Sequence, residues 1–111
     1  MNILKQIKIG GFIYDVERPE GSFIGDNNNS TYVLDGEYSF SKKLIKVGNN
    51  GCSDYQKMVF LHEVCHAIIG HYCCTGTHDE ENFVEQFSKG LYQVLVDNPD
   101  LFKGSEAEND N

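Results

Sequence analysis

The sequence predicts an α+β domain in which a small antiparallel β-sheet packs on an antiparallel helical hairpin. Residues 5–17 alternate between apolar and polar side chains around a central Gly10-Gly11 pair, a pattern typical of a β-hairpin. Residues 53–98 instead repeat apolar side chains at helical spacing in two segments, which predicts two amphipathic helices. A short glycine-containing stretch, 70–76, joins them, and short connections favour antiparallel helices.

Five short segments of the first half are predicted strands, because each combines apolar residues with turn-forming residues near its ends. They are 5–9, 12–17, 31–34, 37–40 and 44–47. The dipeptide Asp35-Gly36 stands between the third and fourth of these segments. Since Asp-Gly is favoured in two-residue turns, these two segments are expected to form a second hairpin.

Capping-box patterns predict where the two helices begin. Segments 53–56 and 77–80 each place Ser or Thr three residues before Gln or Glu, so the paired side chains can satisfy N–H groups at a helix start. Apolar residues cover most of the first helix, which is therefore expected to lie buried between the sheet and another element. The second helix should end at Asn98, because the residue before Pro99 resists helical geometry. Its apolar face consists of Phe83, Phe87, Leu91, Val94 and Leu95.

Length and charge restrict the class of protein. The chain has 111 residues, which suits a single domain, expected to span residues 1–102. Residues 103–111 are polar and acidic, so a disordered tail is expected there. The formal net charge is −8. This charge disfavours binding to nucleic acids and to anionic membranes, because both attract lysine and arginine.

The sequence carries no sign of export or membrane insertion. No apolar run is long enough to cross a bilayer, and residues 1–11 lack the apolar core of a signal peptide. A soluble, non-secreted protein is therefore expected, with reduced thiols. The cysteines include no C-x-x-C pair, so a structural zinc ribbon is not indicated; they are Cys52, Cys65, Cys73 and Cys74.

The segment His62-Glu63-Val64-Cys65-His66 is the most informative motif for function. It reads H-E-x-x-H and lies inside the first predicted helix, where residues four apart share a face. His62 and His66 are thus spaced to bind one metal ion, and Glu63 is placed to accept a proton from an activated water. The alternative is a purely structural role, in which both histidines lie in the core with their hydrogen bonds satisfied and the glutamate is exposed.

A tetrahedral catalytic zinc site needs a third protein ligand and one open position. His71 lies five residues beyond His66, so on a continuous helix it points away from the histidine face. Glu81 and Glu85 lie on one edge of the second helix, which an antiparallel hairpin would bring over the histidines. One carboxylate could then bind the metal while the other accepts the second N–H of a histidine ligand; two solvated glutamates are the alternative. Other downstream candidates are His78, Asp79 and Glu80.

The segments 62–66 and Glu81-Asn82-Phe83-Val84-Glu85 resemble the ImmA/IrrE-like metallopeptidases, in the small form found in prophages of Gram-positive bacteria. Segments 91–94 and 97–99 add to the likeness, which covers residues 56–101. The resemblance implies a minimal zincin-like fold with Glu81 as the third zinc ligand and Glu85 as its supporting carboxylate. Val84 stands where the related pattern has alanine, and Glu85 where it has Asp or Asn. The resemblance also implies an intracellular zinc peptidase, in the cytoplasm of a bacterium and of phage or prophage origin.

The expected function is zinc-dependent hydrolysis of a peptide or protein substrate, such as a phage or mobile-element regulator. His62, His66 and Glu81 would hold Zn²⁺, and Glu63 would be the catalytic base. Two alternatives stay open: a catalytically inactive metal-binding or interaction module of a phage, and a zinc hydrolase for a substrate other than a peptide. The intact Glu63 favours an enzyme, since a structural site needs no base, whereas the small size of the chain favours the module. The substrate and the oligomeric state do not follow from the sequence.

Overall fold

The computed structural model describes residues 1–24, 33–73 and 79–104, and within them the chain has the predicted α+β class. The first half forms short strands and the second half forms two long helices. The elements in chain order are β1 (Gln6–Ile9), β2 (Phe12–Glu17), β3 (Phe23–Ile24), β4 (Val33–Leu34), β5 (Gly36–Ser39), β6 (Leu44–Val47), α1 (Ser53–Tyr72), α2 (Glu80–Asp97) and a 3-10 turn (Pro99–Leu101). None of the helices in these ranges has the length and apolar character needed to cross a membrane.

Four strands form the main sheet in the order β1-β2-β6-β5. The β1–β2 pair is the predicted hairpin around Gly10 and Gly11, and the β5–β6 pair is also antiparallel. The central pair differs from the prediction, because β2 and β6 run parallel, with Val16 beside Ile45. A parallel pair needs a long crossover connection, and here the chain between β2 and β6 supplies it.

The predicted hairpin around Asp35 and Gly36 is wrong. β4 pairs with β3 in a separate two-stranded sheet, while β5 pairs with β6. The turn before β6 is instead made at 40–43, where Lys43 has a φ of 52°. Gly36 lies in β5 and serves close packing, since a Cβ there would be only 2.5 Å from the Val59 Cγ1 atom of α1. Local sequence could not distinguish a turn glycine from one needed for helix–strand contact.

Both helices begin differently from the capping-box predictions. The N-cap of α1 is Cys52, without a side-chain cap, and the Gln56 side chain donates to the Gly51 carbonyl at 2.9 Å instead. The N-cap of α2 is Asp79, whose carboxylate accepts from the Glu81 N–H at 3.2 Å. The cap predicted at Thr77 lies outside the described residues. The end of α2 at Asp97, just before Asn98-Pro99, agrees with the prediction.

The core lies between the sheet and one face of α1. The buried residues of α1 are Phe60, Glu63, Val64, Ala67 and Ile68. The four apolar ones pack in one cluster with Ile7, Ile9, Tyr14, Ile45 and Val47 of the sheet and with Val94 and Leu101. The opposite face of α1 is open, since Met58 is 69% exposed and Leu61 44%. Burial of α1 is thus confirmed for one face only. The helices approach closely at Gly90, where a Cβ would lie 2.7 Å from Ile68 Cγ2.

Cys65 behaves as the small apolar residue that a reduced thiol can be. It is partly buried, and burial raises the pKa of its thiol. Neither Cys65 nor Cys52 is joined in a disulfide; Cys74 lies outside the described residues. At the end of the chain, the Lys103 carbonyl accepts a 2.7 Å hydrogen bond from the Asn2 side chain, so contacts extend one residue into the predicted tail. Residues 105–111 lie outside the described ranges.

The two edges of the main sheet, β1 and β5, differ in their hydrogen-bond partners. At the β1 edge, the Lys8 N–H donates to Asn98 Oδ1 and the Asn98 amide donates to the Lys8 carbonyl, both at 2.8 Å. Asn98 therefore mimics a neighbouring strand and closes that edge. At the other edge, β5 has no strand partner on its outer side within the described ranges. This open edge runs beside α1, the helix that carries the H-E-x-x-H motif.

Candidate metal centre

Helix α1 brings the two motif histidines together on its exposed face. The Nε2 atoms of His62 and His66 are 3.2 Å apart, and their ring centroids are 4.8 Å apart. Two imidazole nitrogens on one tetrahedral zinc ion, each bonded at about 2.0–2.1 Å, would be about 3.3 Å apart. Both rings are exposed and accessible from solvent. The donor type and the spacing therefore fit a shared zinc ion.

Tyr38 of β5 contacts one of these imidazoles. Its ring is nearly parallel to that of His66, at 8° and 6.3 Å between centroids. The Tyr38 hydroxyl is buried and makes no hydrogen bond within the described residues. It fits against α1 because residue 70 is glycine, where a Cβ would lie 2.6 Å from the Tyr38 oxygen. Strand β5 thus packs against one side of the histidine pair through Tyr38.

Glu63 lies on the sheet-facing side of the same helix and is only 8% exposed. Its Oε2 atom is close to β5, 2.9 Å from where a Cβ on Gly36 would lie. Burial raises the pKa of Glu63, His62 partly offsets the rise, and Glu37 adds to it. The alternative required buried histidines and an exposed glutamate, whereas here His62 and His66 are exposed and Glu63 is buried. A carboxylate with a raised pKa beside two solvent-facing imidazoles is a candidate for proton transfer.

A groove of about 320 Å³ opens between α1 and the start of β5. His62 and Glu63 both line it, so the motif faces a space that a ligand can enter. The other lining residues are Asp35, Gly36, Tyr55, Met58 and Val59. A separate cavity of about 250 Å³ is lined by apolar residues such as Phe60 of α1 and Leu91 of α2.

Asp35 is a site residue that the sequence analysis missed. Its Oδ1 accepts from the Ser22 hydroxyl at 2.7 Å and from the Asn50 amide at 3.2 Å, and its Oδ2 accepts from the Tyr55 hydroxyl at 2.6 Å. The Tyr55 bond, followed by those from Ser22 and Asn50, lowers the pKa of the Asp35 carboxyl. Interpreting Asp35-Gly36 as a turn concealed this role, and only the position of β5 beside α1 reveals it.

The predicted carboxylate ligands are not gathered around the histidines. Glu81 and Glu85 are exposed on the first turns of α2, and the Glu85 carboxylate lies 3.5 Å from Lys89 Nζ. Within residues 1–24, 33–73 and 79–104, no three His, Cys, Asp or Glu side chains form a metal-binding group. His78 and the rest of the connection 74–78 lie outside the described residues. The metal roles of Glu81 and Glu85 therefore stay predictions.

His71 belongs to a different cluster, as its position on the helix predicted. Its Nε2 is 2.6 Å from the buried Tyr14 hydroxyl, and its ring packs against Phe12 and Phe40. The Lys43 ammonium lies 4.0 Å from the centroid of the Phe40 ring. Burial, followed by Lys43, lowers the pKa of His71. A neutral imidazole here can accept the Tyr14 hydrogen bond, so His71 supports the fold.

No protein-family model matches the chain, and no curated protein or solved structure matches it either. The likeness to ImmA/IrrE-like metallopeptidases therefore stands on the motif residues alone. Since a fold does not by itself imply a function, the function has to be argued from the arrangement of His62, Glu63 and His66.

Proposed function

We propose that the chain is a zinc-dependent metallopeptidase, similar to the ImmA/IrrE-like enzymes and acting on a peptide or protein in the bacterial cytoplasm. The observation that carries this proposal is the 3.2 Å approach of the His62 and His66 Nε2 atoms, together with a buried Glu63 that lines one groove with His62. A pair of imidazoles binds metal, and a carboxylate of raised pKa accepts and returns protons. All three side chains come from one rigid helix, which keeps their relative positions.

In this proposal His62, His66 and one glutamate of α2, Glu81 by the family pattern, hold the zinc ion. Glu85 would orient a ligand by accepting its N–H. When bound, zinc supplies Lewis acidity for the scissile carbonyl and makes water more acidic. The Glu63 carboxylate accepts the proton of the attacking water and later delivers it to the leaving amine nitrogen. Burial of Glu63 assists both steps, because its raised pKa strengthens the base and keeps the acid form accessible.

The outer edge of β5, which pairs with no strand in the described part of the chain, supports a peptide substrate in particular. An extended peptide can add to an exposed strand edge through main-chain hydrogen bonds, and β5 lies directly beside the H-E-x-x-H helix. The opposite edge is closed by Asn98. A substrate strand along β5 would pass Glu63 and the histidine pair, so its scissile carbonyl would meet the groups that act on it.

The test compares zinc content with cleavage of a mixed peptide library analysed by mass spectrometry. Wild-type protein should hold one zinc ion per chain and cleave peptides, and His62→Ala should lose the metal. Glu63→Gln should keep the metal and lose activity by about 10²–10⁴-fold or more, the usual contribution of a general base. As a control, His71→Gln should keep the metal, since His71 contacts Tyr14 instead. Wild-type cleavage by Glu63→Gln would refute the proposal.

The same assay distinguishes the two glutamates of α2. If Glu81 is the ligand, Glu81→Gln should weaken zinc binding more than Glu85→Gln. Loss of a supporting hydrogen bond typically costs 10–100-fold in metal affinity, so Glu85→Gln should stay within about that range. Equal zinc affinity of Glu81→Gln and wild type would remove Glu81 from the ligand set.

The second candidate function is a non-catalytic metal-binding or interaction module. The exposure of Glu81 and the pairing of Glu85 with Lys89 favour it, because a module does not require a complete catalytic ligand set. The burial of Glu63 opposes it, since burying a carboxylate costs free energy that a structural role would not require. Zinc binding without cleavage of any library peptide would favour the module.

A further inference from the structure

We propose that Asp35 is a specificity-determining residue of the groove, and that its carboxylate selects a lysine or arginine side chain of the substrate about three residues from the scissile bond. This inference rests on the proposed peptidase function, because it assigns a substrate class to the same site. It starts from the fact that Asp35, His62 and Glu63 line one groove, although Asp35 is distant from the motif in sequence.

The distance follows from the helix. Asp35 is joined to Tyr55 by a 2.6 Å hydrogen bond, and Tyr55 lies two turns before His62 on α1. Two turns correspond to about 10 Å of helix rise. An extended peptide advances about 3.3 Å per residue, so roughly three residues separate the bond at the histidines from a side chain at Asp35. A peptide along β5 would therefore present one fixed position to this carboxylate.

The charge of Asp35 is the second part of the argument. Its three hydrogen-bond donors are the side chains of Ser22, Asn50 and Tyr55, and all three are neutral groups. Asp35 forms no ion pair within the described part of the chain. The lowered pKa of Asp35 means that the carboxyl is ionised at neutral pH. A negative charge that is held in place and has no cationic partner is suited to bind an incoming ammonium or guanidinium group.

The surroundings of Asp35 suit a long cationic side chain. Met58 and Val59 line the same groove, and Met58 is 69% exposed. The methylene stem of a lysine or arginine can cover such apolar surface while its charged end reaches a carboxylate. The net charge of −8 adds a long-range attraction for cationic peptides. Stem contact and charge contact together favour Lys or Arg over a free metal ion or a small amine.

The experiment uses zinc-loaded protein and pairs of peptides that differ only by Lys or Gln, with the exchange scanned through three residues on each side of the cleavage site. At one position, wild-type kcat/KM should favour Lys by about five- to tenfold, as expected for an ion pair of roughly 1 kcal/mol. Asp35→Asn, which keeps the shape and retains one of the two acceptor oxygens, should reduce that ratio to within about twofold. Asp15→Asn is the control, because it removes one negative charge on β2 outside the groove and should leave the ratio unchanged.

Folding is verified by far-UV circular dichroism, and Tyr55→Phe provides a second variant that keeps the carboxylate but removes its shortest hydrogen bond. Tyr55→Phe should lower the Lys preference partially. The inference is overturned if wild-type protein shows no Lys preference at any position. It is also overturned if Asp35→Asn and Tyr55→Phe show the same Lys preference as each other. Asp35 would then serve only to connect the segments of Ser22 and Asn50 to α1.

Binding measurements separate failure of this inference from failure of the proposed function. Fluorescence anisotropy with the same peptide pairs, in the Glu63→Gln background, reports selection without turnover. Absence of hydrolysis by wild-type protein, with a Lys preference in binding that requires Asp35, would refute the peptidase and support the groove specificity. Hydrolysis with no dependence on Asp35 would support the peptidase and refute the groove specificity. If peptides are neither cleaved nor bound with a Lys preference, both proposals are refuted.

Discussion

Replacing the buried polar residue Asn98 by alanine should strongly destabilise the fold. Asn98 is only 8% exposed, and its side chain makes three hydrogen bonds of 2.8 Å. Two join the N–H and carbonyl of Lys8 at the β1 edge, and the third reaches the Val94 carbonyl in the last turn of α2. Asn98→Ala removes all three at once and leaves both Lys8 backbone groups without their partner.

The magnitude follows from these bonds. A net contribution of about 1 kcal/mol per hydrogen bond predicts a loss of about 3 kcal/mol. The Lys8 groups are only partly buried, so water can replace some of the lost pairing and moderate the penalty for unsatisfied groups. The expected loss is therefore about 2–4 kcal/mol, a large share of the roughly 5–15 kcal/mol that stabilises a typical domain.

The assay is urea unfolding followed by far-UV circular dichroism at pH 7. Asn98→Ala should lower the midpoint with an unchanged m-value, since the surface exposed on unfolding is nearly the same. Asn82→Ala is the matched control, because exposed Asn82 makes one 3.3 Å side-chain contact, to Asp79, and should cost at most about 0.5 kcal/mol. A loss below about 0.5 kcal/mol for Asn98→Ala would refute the argument that this side chain closes the sheet edge.

Two further predictions concern the residues around the site. The lowered folded-state pKa of His71 means that its contribution to stability is complete above the unfolded value of about 6.5 and is lost as pH falls through the folded pKa. The stability difference between wild type and His71→Gln should therefore shrink from pH 7.5 to pH 5.5 in urea unfolding, and a constant difference would contradict this. Gly36→Ala places a Cβ 2.5 Å from Val59 and 2.9 Å from the Glu63 carboxylate. It should cost about 1–3 kcal/mol and reduce peptide cleavage more than it reduces zinc content, whereas unchanged stability and cleavage would show that the groove tolerates the extra methyl group.

Local sequence was sufficient for much of the architecture. The alternation around Gly10-Gly11 predicted the β1–β2 hairpin, and Asn98-Pro99 predicted the end of α2. The i, i+4 spacing of His62 and His66 predicted that their rings meet, because helical geometry alone places them on one face. Each of these features depends on neighbours in the chain, so pattern and structure agree.

Asp35 and Gly36 show where local pattern fails. The dipeptide has the composition of a turn, yet Gly36 is a strand residue selected by its contact with α1, and Asp35 is held by Ser22, Asn50 and Tyr55 from three other parts of the chain. Such roles depend on packing between segments that are distant in sequence. No local signal distinguishes them from an ordinary Asp-Gly turn.

The sequence by itself determined the residue types and spacing of the H-E-x-x-H motif, and through them the kind of chemistry this chain can support. Only the tertiary structure decided that Glu63 is buried while the histidines are exposed, that β5 has no outer strand partner within the described ranges, and that Asp35 lines the groove. The physical reason is that spacing along a helix is set by backbone geometry, whereas burial, pKa and neighbouring charge are set by elements that meet only when the chain folds.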